Sequence, residues 1–319
     1  MNSTVAPSKS SMKHSIPFAI IAPCYNEKSV IIRFLEELEA VLYQTGQKFI
    51  IVIIDDASTD ETINDLQSFK FSTENFDFRI IRLIYNAGHQ EAIRQGLIFI
   101  KNTYSDLSGV FIMDSDGEDD PVAILDAVGI KNFDVVFFER AKRKEGLIFK
   151  AGYFFYKVLF KIITGRKITF GNYSLLSYRA LKNIAGQNFF HFAAFLSKQK
   201  LDIQKIKYDR RERFGGNSKM NYNGLIIHGL KAIIEYSEEL LIFLIKSFVV
   251  VCLFILVTAV VLIYKKFFSQ EAILGWTSTI GIGLIIIGIL ISTTIAINLM
   301  LLYIKNFLRQ EKVDFEILK

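Results

Sequence analysis

The sequence predicts an α/β domain built on a mostly parallel sheet, followed by a two-helix transmembrane hairpin. Three observations predict it. From Pro17 to Glu139, short apolar runs alternate with segments whose apolar residues recur at helical spacing. Several of those runs end in polar or acidic clusters, as the carboxyl ends of buried parallel strands do. After residue 240, charges become rare over two long stretches. Of the 319 residues, 51% are hydrophobic, and the excess over an ordinary globular composition sits in that last part of the chain.

Residues 1–15 are polar, without the apolar core of a secretory signal, and read as a disordered tail. Phe18–Ala22 is the first strand-like run. Ile31, Phe34, Leu35, Leu38, Val41 and Leu42 then mark one face of a helix, and Phe49–Ile54 is an unbroken buried-strand run ending in Asp55-Asp56. Ser58-x-x-Glu61 reads as a capping box for the next helix. A strand over Arg79–Tyr85, a helix over Glu91–Lys101, a strand up to Met113, a helix from Pro121 with Asp120 as its N-cap, and a strand over Asp134–Phe138 complete the series. Five strands with helical crossovers predict a parallel, right-handed α/β sheet whose ligands bind beyond the strands' carboxyl ends.

The most informative stretch is Val110–Pro121, V-F-I-M-D-S-D-G-E-D-D-P, an apolar strand running into five carboxylates within seven positions. Three readings fit such a cluster. It is a solvated acidic turn, a calcium loop, or a D-x-D site whose metal neutralises substrate phosphates. The calcium loop fails by position: with Asp114 as the first ligand, Asp119 falls where the turn glycine belongs and Leu125 where the bidentate Glu belongs. Strand one ends in Pro23-Cys24-Tyr25-Asn26-Glu27, strand two in Asp55-Asp56-Ala57-Ser58-Thr59-Asp60, strand three in Asn86-Ala87-Gly88, and strand four in Asp114-Ser115-Asp116. No Gly-x-Gly-x-x-Gly or P-loop follows strand one, so a nucleotide bound here needs its diphosphate neutralised by a metal, Mg²⁺ or Mn²⁺.

These four motifs, in this order, resemble glycosyltransferase family 2 with its GT-A (Rossmann-like) fold, whose pattern is P-x-Y-N-E, D-D-x-S-x-D, N-x-G and D-x-D. The resemblance covers about the first 220 residues. It implies that Pro23, Tyr25, Asn26, Glu27, Asp55, Asp56, Asn86, Gly88, Asp114 and Ser115 bind a nucleotide sugar, and that Asp114 and Asp116, with Glu118 as a further oxygen ligand, hold the metal. Further on, Glu139-Arg140-Ala141-Lys142-Arg143, Gly171-Asn172-Tyr173-Ser174 and Arg213-Phe214-Gly215-Gly216-Asn217-Ser218-Lys219-Met220 resemble the polyprenyl-phosphate subgroup, which includes dolichol-phosphate mannose synthases and bactoprenol glucosyltransferases. That subgroup often has Gln two places after its D-x-D and an acid in a G-D-F segment. Here Glu118 and Asn172 stand in those places, the second without a carboxylate.

The implied activity is inverting transfer of a sugar from a nucleotide diphosphate sugar, UDP preferred over GDP, to polyprenyl phosphate. Candidate catalytic residues are Asp116, Glu118, Asp119, Arg140 and Asn172. Candidate cations for the acceptor phosphate are Arg140, Arg143, Arg213 and Lys219, with Ser218 beside them. Two other readings stand at this point: a phosphatase of the haloacid-dehalogenase type, from D-x-D-G after an apolar strand, and a catalytically silent binding or scaffold protein, from Asn172. The net charge of +6, crowded into Arg140–Lys167 and Lys198–Lys219, favours an anionic partner such as phosphate or lipid. No zinc-finger spacing or ribonucleoprotein motif points to nucleic acid, and nothing opposes a homo-oligomer. Cys24 and Cys252 suggest neither a disulfide framework nor a zinc site, which fits a cytoplasmic catalytic domain.

The expected organisation is a tail over 1–15, a GT-A domain over 16–220, an interfacial amphipathic helix over 221–246, spans at 247–264 and 279–303 within 247–303, and a cytoplasmic tail over 304–319. Lys150, Lys157 and Lys161 share one side of a second basic, aromatic helix. Ser247–Tyr264 is 18 residues without a charge, about 27 Å as a helix. Thr279–Tyr303 is longer, also uncharged, and carries Gly281, Gly283 and Gly288 for close helix contact. The short link between them makes a hairpin. Lys305, Arg309, Lys312 and Lys319 against Lys265 and Lys266 orient it with both ends cytoplasmic, in an integral membrane protein of the bacterial inner membrane.

Overall fold

The computed structural model describes residues 16–140, 157–158, 160–166, 171–208, 211, 214–215, 222–269, 275–307 and 315–319. The chain forms two units: residues 1–144, 169–219 and 312–319 make the first, and residues 145–168 and 220–311 the second.

The described residues of the first unit form an eight-stranded mixed sheet. The strands β1 (Phe18–Cys24), β2 (Phe49–Asp55), β3 (Phe76–Leu83) and β4 (Gly109–Ile112) are parallel, with β1 between β2 and β4. Every residue of β1 and β2 is buried, because helices cover both faces, and this is why these strands read as continuous apolar runs. Helix α1 (Ile31–Thr45) buries the six apolar residues expected from its periodicity, and α3 (His89–Thr103) buries Ala92, Ile93, Leu97, Phe99 and Ile100. Two apolar clusters result. One gathers α3 with Ile21, Val52, Ile54, Val110 and Ile112; the other gathers α1 with Ile20, Ile51, Ile53 and Phe111.

Beyond β4 the sheet departs from the expected parallel series. The fifth strand, β5 (Val135–Arg140), does not pair with β4. A three-residue strand, β6 (Ser174–Leu176), lies antiparallel between them, and β7 (Ile203–Tyr208) pairs parallel with β5 on the outside. At the other edge, β8 (Phe315–Ile317) pairs antiparallel with β3, so the end of the expected tail is a strand of this sheet. Its Phe315 packs edge-on to Phe99, 6.5 Å between centroids.

Two helix starts differ from expectation. Helix α2 (Thr62–Ser68) begins after the Ser58-x-x-Glu61 segment, and its cap residue Glu61 makes no side-chain cap bond. Ser58 is instead committed to the β2 turn, and Asp60 Oδ1 accepts from Thr62 N at 3.0 Å. Helix α4 (Ala123–Ala127) begins at Ala123, later than Pro121. The Asp120 carboxylate accepts from Val122 N and its carbonyl from Ala123 N, so it shapes the turn leading into the helix.

Helices α5 (Tyr178–Ile184) and α6 (Phe192–Lys198) complete the described part of the first unit. In the second unit, α7 (Tyr222–Glu235) and α8 (Ser237–Tyr264) are separate helices meeting at Tyr236, so the segment expected as one interfacial helix is divided between them. A π-helical turn, Lys265–Ser269, follows, and then α9 (Trp276–Phe307). Ser237–Tyr264 and Ser278–Leu301 are long and apolar enough to cross a membrane, with mean hydropathies of 3.1 and 2.6. Most of their described apolar side chains are exposed or half-exposed: Val250 is 65% exposed and Leu290 60%, and Leu262 is buried. The basic helix expected over 149–163 lies largely outside the described residues. Within it Phe160 is buried and meets the Tyr236 ring edge-on at 5.2 Å.

Candidate active site

The carboxyl ends of β1, β2, β3 and β4 bring the four motifs to one edge, and hydrogen bonds stitch their turns together. Asn26, at φ +53, donates its backbone N–H to Ser58 Oγ at 2.9 Å and accepts from Thr59 N at 2.8 Å. Asp55 accepts from Ser58 N at 3.2 Å, with Arg82 Nε 3.5 Å away. Asp56 spans the next gap: its oxygens accept from Ala87 N at 2.7 Å and Gly88 N at 2.9 Å, fixing the N-x-G turn against β2. Gly88 sits at φ +92 before α3, in the left-handed region where a side chain is strained. Burial pushes both Asp55 and Asp56 above the ordinary aspartate value, and the backbone donors oppose the rise. Ser115 is buried and donates to Pro23 O at 2.8 Å, tying the D-x-D turn to β1. Tyr25 and Glu27 stand at the end of β1, Glu27 nearly buried with its carbonyl accepting from Ile31 N.

Asp114 and Asp116 are half-buried on the turn after β4. Asp116 Oδ1 accepts from Glu118 N at 3.0 Å. Asp119, expected as a ligand or base, is turned beneath the turn and is only 1% exposed. Its Oδ2 accepts from Asp114 N at 2.9 Å and its Oδ1 from Tyr208 OH at 3.0 Å, which ties the D-x-D turn to the end of β7. Tyr173 reinforces this floor, donating to Asp120 O at 2.9 Å and stacking on Phe138 at 4.1 Å. Among the described residues no group of three or more His, Cys, Asp or Glu side chains is arranged to hold a metal. Two carboxylates on one turn still fit a divalent ion bound together with a diphosphate, because Mg²⁺-type sites take one or two carboxylates and complete their shell with phosphate oxygens and water.

Sequence reasoning missed His89. Its Nε2 lies 3.3 Å from Asp114 Oδ1 and 3.0 Å from Asn172 Nδ2. Burial alone would lower its pKa, but the carboxylates of Asp114, Asp119 and Asp116 outweigh burial and raise it. Asn172 Oδ1 is buried without a hydrogen-bond partner among the described residues. Turning the amide over would bring that oxygen to His89, whose ring N–H can then donate to it. The only signal in the sequence is position: His89 directly follows N-x-G at a helix start, and a lone His there is commonplace.

A second omission is Arg211. Its side chain pairs with Glu37 and, through Nε, with Asp120 at 2.8 Å, and its backbone N–H donates to Glu118 O at 3.3 Å. Arg140 ends β5. Arg143, Arg213, Ser218 and Lys219 lie outside the described residues.

The sequence of this chain matches the model of glycosyl transferase family 2 over residues 19–188, which takes in β1 through β6 and all four motifs. The chain belongs to glycosyltransferase family 2. It is a glycosyltransferase, and neither the phosphatase nor the silent-scaffold reading is needed to explain the D-x-D turn. A Bacillus subtilis (strain 168) protein, named only as an uncharacterized glycosyltransferase, is 25% identical over 288 residues, covering 88% of this chain and 87% of its own. The dolichyl-phosphate beta-glucosyltransferase of Saccharomyces cerevisiae is 35% identical over 105 residues, 31% of this chain and 29% of that one. The crystal structure of mannosyl-3-phosphoglycerate synthase from Rubrobacter xylanophilus superposes with a TM-score of 0.50 at 13% identity, over 70% of this chain and 74% of that one, and shows the shared GT-A fold.

Proposed function

We propose that this glycosyltransferase moves a sugar, with inversion, from a nucleotide diphosphate sugar to polyprenyl phosphate in a membrane. The observation that carries the donor half is the edge itself: Asp114 and Asp116 stand half-buried beside three stitched turns that can enclose a nucleotide, with no glycine cradle for its phosphates. Pro23, Tyr25, Asn26 and Glu27 of the first turn face base and ribose, with Asp55, Asp56, Asn86 and Gly88 walling the same pocket. Asp114 and Asp116 would hold a divalent ion, which would supply positive charge to the leaving diphosphate. The rest is alignment. A phosphate monoester is already anionic at neutral pH, so the acceptor needs no strong base, only cations that screen and orient it, and Arg140, Arg143, Arg213 and Lys219 with Ser218 are assigned that task.

The acceptor half rests on the relative named as a dolichyl-phosphate glucosyltransferase and on the two apolar helices, which give the enzyme access to a lipid substrate in the bilayer. Residues 169–219 and 312–319, which flank the apolar helices in sequence, belong to the same compact unit, which supports a hairpin with both ends on one side. Membranes containing the enzyme, incubated with labelled UDP- and GDP-sugars, are expected to place one label in the lipid extract in a chelator-sensitive manner. A label found only in water-soluble product removes the lipid acceptor. Cysteine labelling of Ser269→Cys in intact cells, with Lys312→Cys protected, is the expected topology. Equal labelling at both positions overturns it.

A further inference from the structure

The short segment from Arg211 to Phe214 makes contacts that the donor site does not itself require. The Phe214 ring lies directly on the backbone of Gly117: a Cβ built at Gly117 would sit 2.5 Å from Phe214 Cγ, closer than any side chain tolerates. Gly117 is at φ +83, a left-handed conformation that only glycine holds without strain. Arg33 covers the Phe214 ring with its guanidinium carbon 4.2 Å from the centroid. One turn further along the same face of α1, Glu37 pairs with Arg211. The backbone joins in, Phe214 N donating to Asp116 O at 3.4 Å and Arg211 N to Glu118 O at 3.3 Å. The turn from Asp116 to Asp120 is thereby clamped to α1 through two residues, one aromatic and one cationic.

We propose that Phe214 is a positioning residue for the donor diphosphate: its ring, seated on Gly117 and covered by Arg33, holds the turn in the one conformation that presents Asp116. This rests on the reading of Asp114 and Asp116 as the metal–diphosphate site. The link to chemistry is the Asp116 carboxylate, which takes its orientation from Glu118 N, the residue just past Gly117. Without the ring, Gly117 has no steric reason to stay at positive φ. The Glu118 N–H then turns away, and the Asp116 carboxylate loses its orientation. In sequence, Phe214 stands between the two cations assigned to the acceptor phosphate, Arg213 directly before it and Lys219 five residues after it.

The test uses the purified full chain and Mn²⁺ as probe, titrated alone and with UDP or GDP, with free ion read by electron paramagnetic resonance well below each variant's melting temperature. Phe214→Ala is expected to weaken Mn²⁺–nucleotide binding by about 10-fold or more, the scale of losing an orienting partner of a metal ligand. Phe214→Tyr, which keeps the ring, is expected to bind as the parent does. Gly117→Ala should weaken binding similarly, and the double variant should be no worse than the weaker single one, because ring and glycine act as a unit. Additive losses overturn the proposal, as does parental affinity in folded Phe214→Ala. Should that variant fail to fold, Arg33→Gln keeps the ring and removes its cover; a loss of about 3-fold is expected, and none overturns the proposal. Asp116→Asn separates the two levels. If it binds like the parent, the donor-site reading fails and the proposal falls with it; if it alone loses binding, the site stands and Phe214 is only packing.

Discussion

Two acidic turns flank β1 at the carboxyl edge of the sheet, and they use their carboxylates in opposite ways. Asp55 and Asp56 at the end of β2 are buried, at 0% and 3% exposure; Ser58 N of their own turn donates to Asp55, and Ala87 N and Gly88 N of the neighbouring turn donate to Asp56. Asp114 and Asp116 after β4 are half-buried, and the buried acid of that turn is Asp119, which supports it from beneath. The difference teaches how one edge can carry so many acids. Where the charge is met by the fold's own donors, a carboxylate builds the pocket. Where a carboxylate stays half-exposed at the rim, as Asp114 beside His89 and Asp116 under Glu118 N do, an arriving cation can still reach it.

The sharpest way to break that comparison is to neutralise one acid of each kind. Asp114→Asn or Asp116→Asn is expected to lower transfer by about 10³-fold or more while the melting temperature stays near the parent's, since a neutral amide is a poor partner for a hard cation. Asp56→Asn should do the reverse. Its carboxylate joins two turns through two charge-assisted bonds, so about 1–3 kcal/mol of stability is at stake in denaturant unfolding, with a smaller loss of turnover. Equal stability losses in both sets would mean that the two turns do the same job.

On the acceptor side the expected effect is smaller. Arg213→Ala or Lys219→Ala should reduce turnover with polyprenyl phosphate by about 10²-fold, the scale of one aligned charge in a water-poor site, and leave donor affinity unchanged. Detergent-solubilised enzyme is the decisive sample. Near-parental turnover there would show that these cations serve only the lipid surface.

The fold was legible where burial writes itself into composition. β1, β2 and β4 are buried on both faces and appear as apolar runs, and α1 buries the six residues that its periodicity marks. The insertion of β6 between β4 and β5 was not legible, because Ser174–Leu176 is three residues long and its partner is set by tertiary pairing. The same holds for β8: F-E-I in a charged tail carries no strand signal until β3 offers an open edge. At the site, the motifs gave the acids and their place at the edge. They could not say that Asp119 points inward, that Ser58 belongs to the β2 turn, or that His89 meets Asn172 and Asp114, since each is a matter of side-chain direction across strands far apart in sequence.

The smallest expected effect sharpens the comparison through pH. Asp56 has a pKa raised above the ordinary value of 3.8, chiefly by burial. Asp134, just before β5 at the amino edge of the sheet, has one lowered: burial would raise it, but the Asp202 N–H at 3.0 Å and Arg179 at 2.6 Å outweigh burial. The signs of their contributions therefore oppose. Folding favours the protonated form of Asp56, so its contribution is greatest below the unfolded pKa and declines as pH rises through the folded one. Folding favours the ionised form of Asp134, so its contribution is present above the unfolded pKa and is lost as pH falls through the folded one. Arg179 is largely exposed, which screens that pair and keeps the effect modest. Across the acidic range around the ordinary aspartate value, Asp134→Asn should flatten the rise of melting temperature with pH in calorimetry, and Asp56→Asn should steepen it. The direction is the test. If both substitutions change the slope in the same sense, the buried acids of the site edge are held by the same balance as an ordinary structural ion pair, and the contrast between an edge built to enclose a ligand and one built only to hold the sheet disappears.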